Sequence, residues 1–409
     1  MRRNSMIQLS ICLPTRNRQK YCIETIRAIA ESEATNFEVI VGDNSDDASI
    51  LADFFSNELK DSRFRLIAPE DTVLPMVDNW ERLVGEAKGR WISVIGDDDY
   101  IDPKLVLLLK YYERIYPEVE VVSWARMNFN WPDNRPSPAM SIIPVTHSTH
   151  LAVKSVIQDR LYRWSEGNRR PAAGFGIYHG AVRKTLMERI KRKYGGRYFE
   201  HPLADFESSC KAIREAKLLV HCQRPFSVLG ACTASNSAGL KSRKILMERV
   251  KTFKAETQGK IDMDDPVFPF PISDPGASIC ASIASTTSWF CRTYGIDLNG
   301  FPENFALAAA HELKGTVVEE DYELKKAFFE RGFDIWEDGK WRDCFKPAPF
   351  RRDRAFNDVS GEMSGVLQDF LYIREDVTPS QTPAEFYRFG ESTIMPVAQV
   401  VSGTRVFAR

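Results

Sequence analysis

The sequence predicts an α/β protein: a mostly parallel sheet flanked by helices, followed by a mainly helical C-terminal region. Two observations carry this. Short apolar strands alternate with helical patterns through the first 130 residues, as crossover-connected parallel strands require. After about residue 277 the strand signals give way to helical periodicity, as in "PENFALAAAHEL" and "DYELKKAFFERGF".

The elements follow in order. Ile7, Leu9, Ile11 and Leu13 alternate with polar or small residues as a strand, and Pro14 is expected to stop it. Ile23, Ile26 and Ile29 share one helical face. "FEVIV", 37–41, is a second strand ended by Gly42-Asp43-Asn44; Asp46 or Asp47 then caps a helix with Ile50, Leu51, Phe54 and Phe55 inward. "RFRLI", 63–67, is a third strand, a helix covers about 77–87, and "WISVI", 91–95, is a fourth strand. Asp102-Pro103 opens another helix, with Asp as cap and Pro at its first position. "VEVVSW", 119–124, is a fifth strand. The Pro-, Ser- and Thr-rich stretch 130–150 reads as a loop or crossing segment. Helices are expected at 181–193 and 204–217, with a short strand-like stretch at 216–222. A charged amphipathic helix spans about 240–256, and "MDDPVFPFPISDPG" is a connector. The division is thus a first domain, 1–245, a linker, 246–276, and a helical domain, 277–409, whose removal is expected to leave the first domain's ligand binding intact.

Composition bounds the function. The 409 residues are 43% apolar and 27% charged with net charge −1, which suits a soluble globular chain and gives no global attraction for nucleic acid. The cluster Arg189, Lys191-Arg192-Lys193 and Arg197 reads as a solvated helix end. Eight scattered cysteines form no C-x-x-C pair, so they read as small core residues in a reducing compartment and not as a zinc site. No run approaches the ~20 apolar residues of a membrane span. The basic, apolar N-terminus lacks a small-residue cleavage site and reads as the first strand, so a cytoplasmic protein is expected, with peripheral membrane contact left open.

The chemistry centres on "SVIGDDDY", 93–100. Ligands of open parallel sheets bind at the carboxyl ends of strands, where both Asp43 and the Asp97–Asp99 group fall. Two carboxylates ~4 Å apart repel by about 4 kcal/mol at an effective dielectric near 20, so such a cluster needs water or a cation. In extended backbone Asp97 and Asp99 would point the same way, an arrangement suited to Mg²⁺ or Mn²⁺. The plainer reading is a solvated loop with Asp102-Pro103 capping a helix. The preceding strand and the second acidic turn favour a site.

Together "LSICLPTRNR", "FEVIVGDNSDD" and "GRWISVIGDDDYIDP" resemble the signature of glycosyltransferase family 2 on a GT-A fold. The likeness runs from residue 7 to about 240, is strongest over 7–105, and does not reach 277–409. It implies a metal-dependent, inverting transfer of sugar from a nucleotide-sugar donor to a carbohydrate or glycoconjugate acceptor hydroxyl, in surface polysaccharide or glycoconjugate synthesis. It further implies that Pro14, Thr15, Arg16 and Asn17 form the first nucleotide-contacting loop and that Asp43 recognises the base. Asn79 joins the same pocket. Asp97 lies near the ribose, and Asp98 or Asp99 holds the Mn²⁺ or Mg²⁺, with Asp99 preferred. The base-binding turn departs from the commoner pattern of two adjacent acids, since Gly42 stands first. Asp205, in "FEHPLADFESSCKAI", matches the family's catalytic base; Glu207, Glu200 and His201 are rivals, and Asp205 would equally serve as a helix-start acid. The small-residue stretches "PAAGFGIYHGAVRK" and "GACTASNSAG" allow close approach of a ligand or a loop that closes over the donor, with Arg224 or Lys241 offsetting diphosphate charge. Trp124, Trp131 and Trp164 are candidates for stacking on sugar, against a plain core role.

Other readings fare worse. A nucleotidyltransferase would carry a Gly-rich loop after the first strand, and "LPTRNRQK" has no glycine. The P-loop and G-x-G-x-x-G motifs are missing from the sequence, and an EF-hand register starting at Asp97 fails at Ile101 and Asp102. The remaining alternative is a non-catalytic nucleotide-sugar or glycan-binding scaffold of the same fold.

Overall fold

The computed structural model describes residues 6–135, 140–167, 169–172, 174–235, 248, 251–252, 255–256, 264–316, 318–351, 364–374 and 380–403. Lys241 and most of the expected 240–256 helix lie outside these residues.

The strands β1 (Leu9–Thr15), β2 (Phe37–Asp43), β3 (Phe64–Ile67) and β4 (Trp91–Val94) run parallel in the spatial order 3-2-1-4. Helices α1 (Gln19–Ala30), α2 (Ser49–Asp53) and α3 (Met76–Glu86) make the crossovers. Pro14 does not end β1: pairing with β2 continues to Thr15–Asp43. The alternation in β1 does not mark a wet face either. Ser10 is as buried as Leu9 and Ile11, and its hydroxyl is satisfied internally, donating to Glu38 Oε1 at 2.6 Å and accepting from Gly89 N at 2.7 Å.

Beyond β4 the sheet turns mixed. It continues through β5 (Tyr100–Ile101), α4 (Leu105–Ile115), β6 (Val119–Asn130), β7 (Met140–Pro144), β8 (Thr149–Leu151), α5 (Lys154–Tyr162), β9 (Gly180–Arg183), α6 (Lys184–Lys193), α7 (Ala204–Glu215) and β10 (Leu218–Ala231). The four-residue β9 slots antiparallel between β4 and β6, so the expected fifth strand does not touch the fourth. β10 is twice as long as the strand-like stretch expected at 216–222; it pairs parallel with β6 and antiparallel with β5 and β8. The 130–150 stretch is more than a loop, because it carries β7 and β8.

The C-terminal region divides in two. Helices α8 (Ile279–Thr293), α9 (Phe301–Leu313) and α10 (Glu319–Ile335) gather their own core around Phe270, Phe301, Phe305, Phe329 and Phe333. The last described segment then returns to the first domain. There β11 (Gly365–Leu367) and β12 (Phe370–Arg374) add to the sheet at β7, and α11 (Pro383–Glu391) and α12 (Val397–Gly403) follow. Phe386, Tyr387 and Val400 sit in the same core as Leu9, Leu105 and Leu109. A single helical unit over 277–409 therefore does not describe this chain: apolar positions of α11 and α12 complete the sheet's core.

Smaller expectations also find their places. Arg189 pairs with Glu120 at 2.9 Å and Lys193 with Glu215 at 2.7 Å, so the basic cluster is a helix end with local partners. All eight cysteines are free thiols, seven of them buried. Among the described residues no helix is long and apolar enough to cross a membrane.

Candidate active site

The site is built at the carboxyl ends of β2, β1 and β4, which are neighbours in the sheet. Asp43 closes β2 and pairs in register with Thr15, the last residue of β1. Thr15 Oγ1 donates to Asp97 Oδ2 at 2.6 Å, just past β4. The two acidic turns are thus linked by one threonine.

The turn after β1 is stitched to the turn after β2. Asn44 N donates to Thr15 O, Asn17 N donates to Ser45 Oγ, and the Asn17 amide exchanges hydrogen bonds with Asp46. Arg16 donates to Asn44 O at 3.0 Å and pairs with Asp46 and Glu256. Pro14, Thr15, Arg16 and Asn17 therefore frame the edge of the Asp43 turn. Asp43 is fully buried. One carboxylate oxygen accepts from Ser45 N at 2.9 Å, and Oδ2 has no partner among the described residues. An unpartnered buried carboxylate oxygen is costly unless something donates to it. Asn79 stands behind this turn and not in its mouth: its amide donates to Gly42 O at 3.2 Å and accepts from Arg82 Nε at 2.7 Å. Arg82 also donates to Asp43 O.

The three consecutive aspartates are all buried, and each is held differently. Asp97 Oδ2 accepts from Arg18 Nε at 3.1 Å, while Oδ1 has Arg18 Nη2 2.6 Å away as an ion-pair contact but no hydrogen-bond partner among the described residues. Burial pushes the Asp97 carboxyl up to about 7, against the pull of Arg18. Asp98 faces the other way. Its Oδ2 accepts from Ser235 Oγ and, at 3.5 Å, from Cys232 N, while Oδ1 has Arg18 Nη1 at 3.5 Å. Asp99 accepts on Oδ2 from Gly96 N (2.7 Å), Tyr178 OH (2.8 Å) and His179 Nε2 (2.9 Å), and on Oδ1 from Gly230 N (2.8 Å). These donors outweigh burial and hold the Asp99 carboxyl below its ordinary value.

The tautomer of His179 follows from its partners. Trp124 Nε1 can only donate, and it donates to Ser227 Oγ at 2.8 Å. The Asp99 carboxylate can only accept, so the ring's Nε2–H goes to it, and in the neutral ring Nδ1 accepts from the Ser227 hydroxyl 2.8 Å away. Trp124 is thus a buried support of this relay, not a platform open to sugar, and Trp131 likewise donates to Asp98 O at 2.9 Å. Trp164 is fully buried between Phe301 and Phe305.

The carboxylates do not converge as a pair. Among the described residues no group of three or more His, Cys, Asp or Glu surrounds a common metal position. Asp99, the sequence's preferred ligand, has both oxygens engaged by protein donors. Asp97 is held by Arg18 and Thr15. Among the described residues, the turn as folded does not offer a divalent ion an open pair of carboxylates.

On the far side of the mouth, the segment ending in Tyr178 and His179 joins the aspartate turn to the start of α7. Ile177 N donates to Ser208 Oγ, and a Cβ on Gly176 would lie 2.4 Å from Ser209 Oγ, so a larger residue there would have to displace the serines of α7. Asp205 lies in that first turn. Its carboxyl takes no hydrogen bond or ion pair from another described side chain. Burial raises it above the ordinary aspartate value, while the helix-start N–H groups and the nearby Arg126 pull it back. Its rivals are spent on structure. Glu207 and Glu200 both pair with the buried Lys211, at 2.6 and 2.8 Å, and Glu207 also accepts from Glu200 N and His201 N. His201 accepts from Leu203 N at 3.1 Å and packs on Trp289, and burial lowers it to about 3. Arg224 lies elsewhere, fully buried against Tyr387 and Met395.

The family model described as Glycosyl transferase family 2 matches residues 10–216, half of the chain. The chain belongs to glycosyltransferase family 2. This glycosyltransferase is similar in structure to S. aureus TarS 1–349 in complex with UDP-GlcNAc, at 14% identity and a TM-score of 0.45, covering 83% of this chain and 90% of that one. A second S. aureus TarS structure is 15% identical with a TM-score of 0.43, covering 86% of this chain and 59% of that one. Comparison with curated proteins gives no match.

Sequence reasoning on the glycosyltransferase passed over Arg18, Arg126, Tyr178, His179 and Ser235. Arg18 and the Tyr178-His179 pair lay inside stretches already singled out, "LPTRNR" and "GFGIYHG". Nothing local marks them, because their partners are 79 to 80 residues away in the chain.

Proposed function

We propose that this glycosyltransferase moves a sugar from a nucleoside-diphosphate donor to an acceptor hydroxyl with inversion at the anomeric carbon. The supporting observation is one run of groups from the Asp43 oxygen through Thr15 to Asp97, with Asp205 in the first turn of α7, whose Ser208 accepts from Ile177 N beside the Tyr178 and His179 that hold Asp99. Asp43 Oδ2 accepts an N–H of the nucleotide base, and the Pro14–Asn17 turn and Asp97 flank the ribose. Asn79 acts from behind, fixing the turn that carries Asp43.

Asp205 takes the proton from the acceptor hydroxyl. The acceptor oxygen bonds to the anomeric carbon as that carbon's bond to the diphosphate oxygen breaks on the opposite face. The bonding electrons leave with the nucleoside diphosphate, and one step inverts the configuration. A base whose affinity for protons is raised by burial suits this task. Arg126, near Tyr178 and Asp205, is the cation placed to meet the developing negative charge. Mn²⁺ or Mg²⁺ enters this reading only through the acidic turn, which as folded has no open pair of carboxylates for it.

The test is a panel of nucleoside-diphosphate sugars scored for binding and for released nucleoside diphosphate. The wild-type protein should bind one donor class and release its diphosphate. Asp205→Asn should bind that donor equally while turnover falls by roughly 10²–10⁴-fold, the usual worth of a general base. Unchanged turnover would remove Asp205 from the role. Donor binding without any release would favour the scaffold reading.

A further inference from the structure

We infer that His150 and His221 form a two-imidazole site for a divalent transition-metal ion, apart from the residues assigned to sugar transfer. His221 of β10 and His150 of β8 stand directly opposite each other in an antiparallel pair. Side chains so placed leave the same face of a sheet, with their Cβ atoms about 5 Å apart. An ion about 2 Å from one nitrogen of each ring fits between them. Ser123 of β6 stands beside His221 in the parallel register, so one row crosses three strands. The Ser123 hydroxyl lies 2.8 Å from His221 Nδ1. Phe175 packs edge to face with the same imidazole, ring centres 6.3 Å apart.

The chemistry of the row suits an ion. With Nδ1–H given to Ser123, His221 keeps its lone pair on Nε2, which has no hydrogen-bond partner among the described residues. A bond of this kind at the other ring nitrogen orients most metal-ligating histidines. The His150 ring has no hydrogen bond or ion pair among the described residues. Both residues are half-buried, so ion and water reach them. Burial and the neighbouring His150 lower the His221 imidazole to about 4, so at neutral pH the ring is in the unprotonated form that binds metal. Among the described residues no third His, Cys, Asp or Glu joins them, so water completes the coordination. Imidazole favours Ni²⁺, Cu²⁺ and Zn²⁺ over the oxygen-seeking Mg²⁺ and Mn²⁺. Bound there, an ion clamps the three-residue β8 onto β10. None of this depends on the glycosyltransferase reading.

Calorimetric titration of the full chain with Ni²⁺, on protein made without a histidine tag, tests this with no activity measurement. The wild-type protein should bind a single Ni²⁺ with saturation below millimolar metal, and an equal concentration of Mn²⁺ should not displace it. The frozen Cu²⁺ form should show electron-spin splitting from two nitrogens. His150→Asn and His221→Asn should each weaken Ni²⁺ binding at least about tenfold, and Ser123→Ala by about tenfold, since loss of an outer partner typically costs 10–100-fold. His311→Asn, a change on α9, should leave binding as it was. A wild-type protein with no saturable Ni²⁺ binding below millimolar overturns the inference even if no variant folds. Undiminished binding in the double variant His150→Asn/His221→Asn overturns it too. So does displacement of Ni²⁺ by Mn²⁺, which would put the ion on carboxylates.

Discussion

Gly230 shows how finely the acidic turn is fitted. A Cβ at this position would lie 1.8 Å from Asp98 O and 3.1 Å from Trp131 Nε1, and the residue's own N–H holds Asp99 Oδ1. No side-chain rotation relieves a clash with backbone, so Gly230→Ala must push β10 off the turn. We expect a loss of about 1–3 kcal/mol, the usual range for overpacking, together with weaker donor binding; chemical denaturation and donor titration read the two effects. Asp205 makes a residue-scale prediction in pH. A base must be ionised to act, and burial raises this carboxyl above the ordinary aspartate value. Activity per free enzyme should therefore fall on the acid side with an inflection above the ordinary aspartate value, and Asp205→Asn should lose that limb.

At the scale of elements, the turn before α7 and the helix α8 are joined through His201. The imidazole is buried, accepts from Leu203 N and approaches Thr286 Oγ1 at 3.3 Å. Burial and Lys211 hold its folded pKa near 3, below the free value of 6.5. The unfolded chain thus binds a proton that the folded chain refuses. Stability from this group is complete above about pH 6.5 and is lost as pH falls toward 3. At pH 5 the loss should be about 2 kcal/mol, taken as 1.4 kcal/mol per pH unit below the free value. Thermal melts of the wild type and His201→Gln at pH 7 and pH 5 check this: the wild type should lose more on acidification than the variant. The same packing commits the imidazole Nδ1 to Leu203 N and Thr286.

At the scale of the whole molecule, the chain's end completes its beginning. Tyr387 OH donates to Asp102 Oδ2 at 3.0 Å, Arg224 donates to Met395 O at 2.6 Å, and Phe386 stacks on Phe129. Removing 364–409 would take away Phe386, Tyr387 and Val400 and expose the core they cover. Each fully buried side chain of this size is worth roughly 1.5–3 kcal/mol, against a typical total stability of 5–15 kcal/mol. A chain ending at residue 363 should give no cooperative unfolding transition and little soluble protein. The wider deletion of 277–409 should fail in the same way and lose donor binding. A soluble, donor-binding truncation would show that the tail is an appendage.

The sequence alone determined the strand–helix alternation of the first 125 residues, the placement of Asp43 and Asp97–Asp99 at strand ends, and Asp205 at a helix start. Those features are local: period, caps and turn residues act over a few positions, and a chain pattern records them directly. Tertiary structure alone decided what each acid touches. It brought Arg18 onto Asp97 and Asp98 and His179 onto Asp99, slotted four residues of β9 between β4 and β6, and returned Tyr387 to Asp102 across 285 positions. A carboxylate's partner is set by distance in space, and three adjacent aspartates in one turn met three different sets of donors because their side chains leave the backbone in different directions.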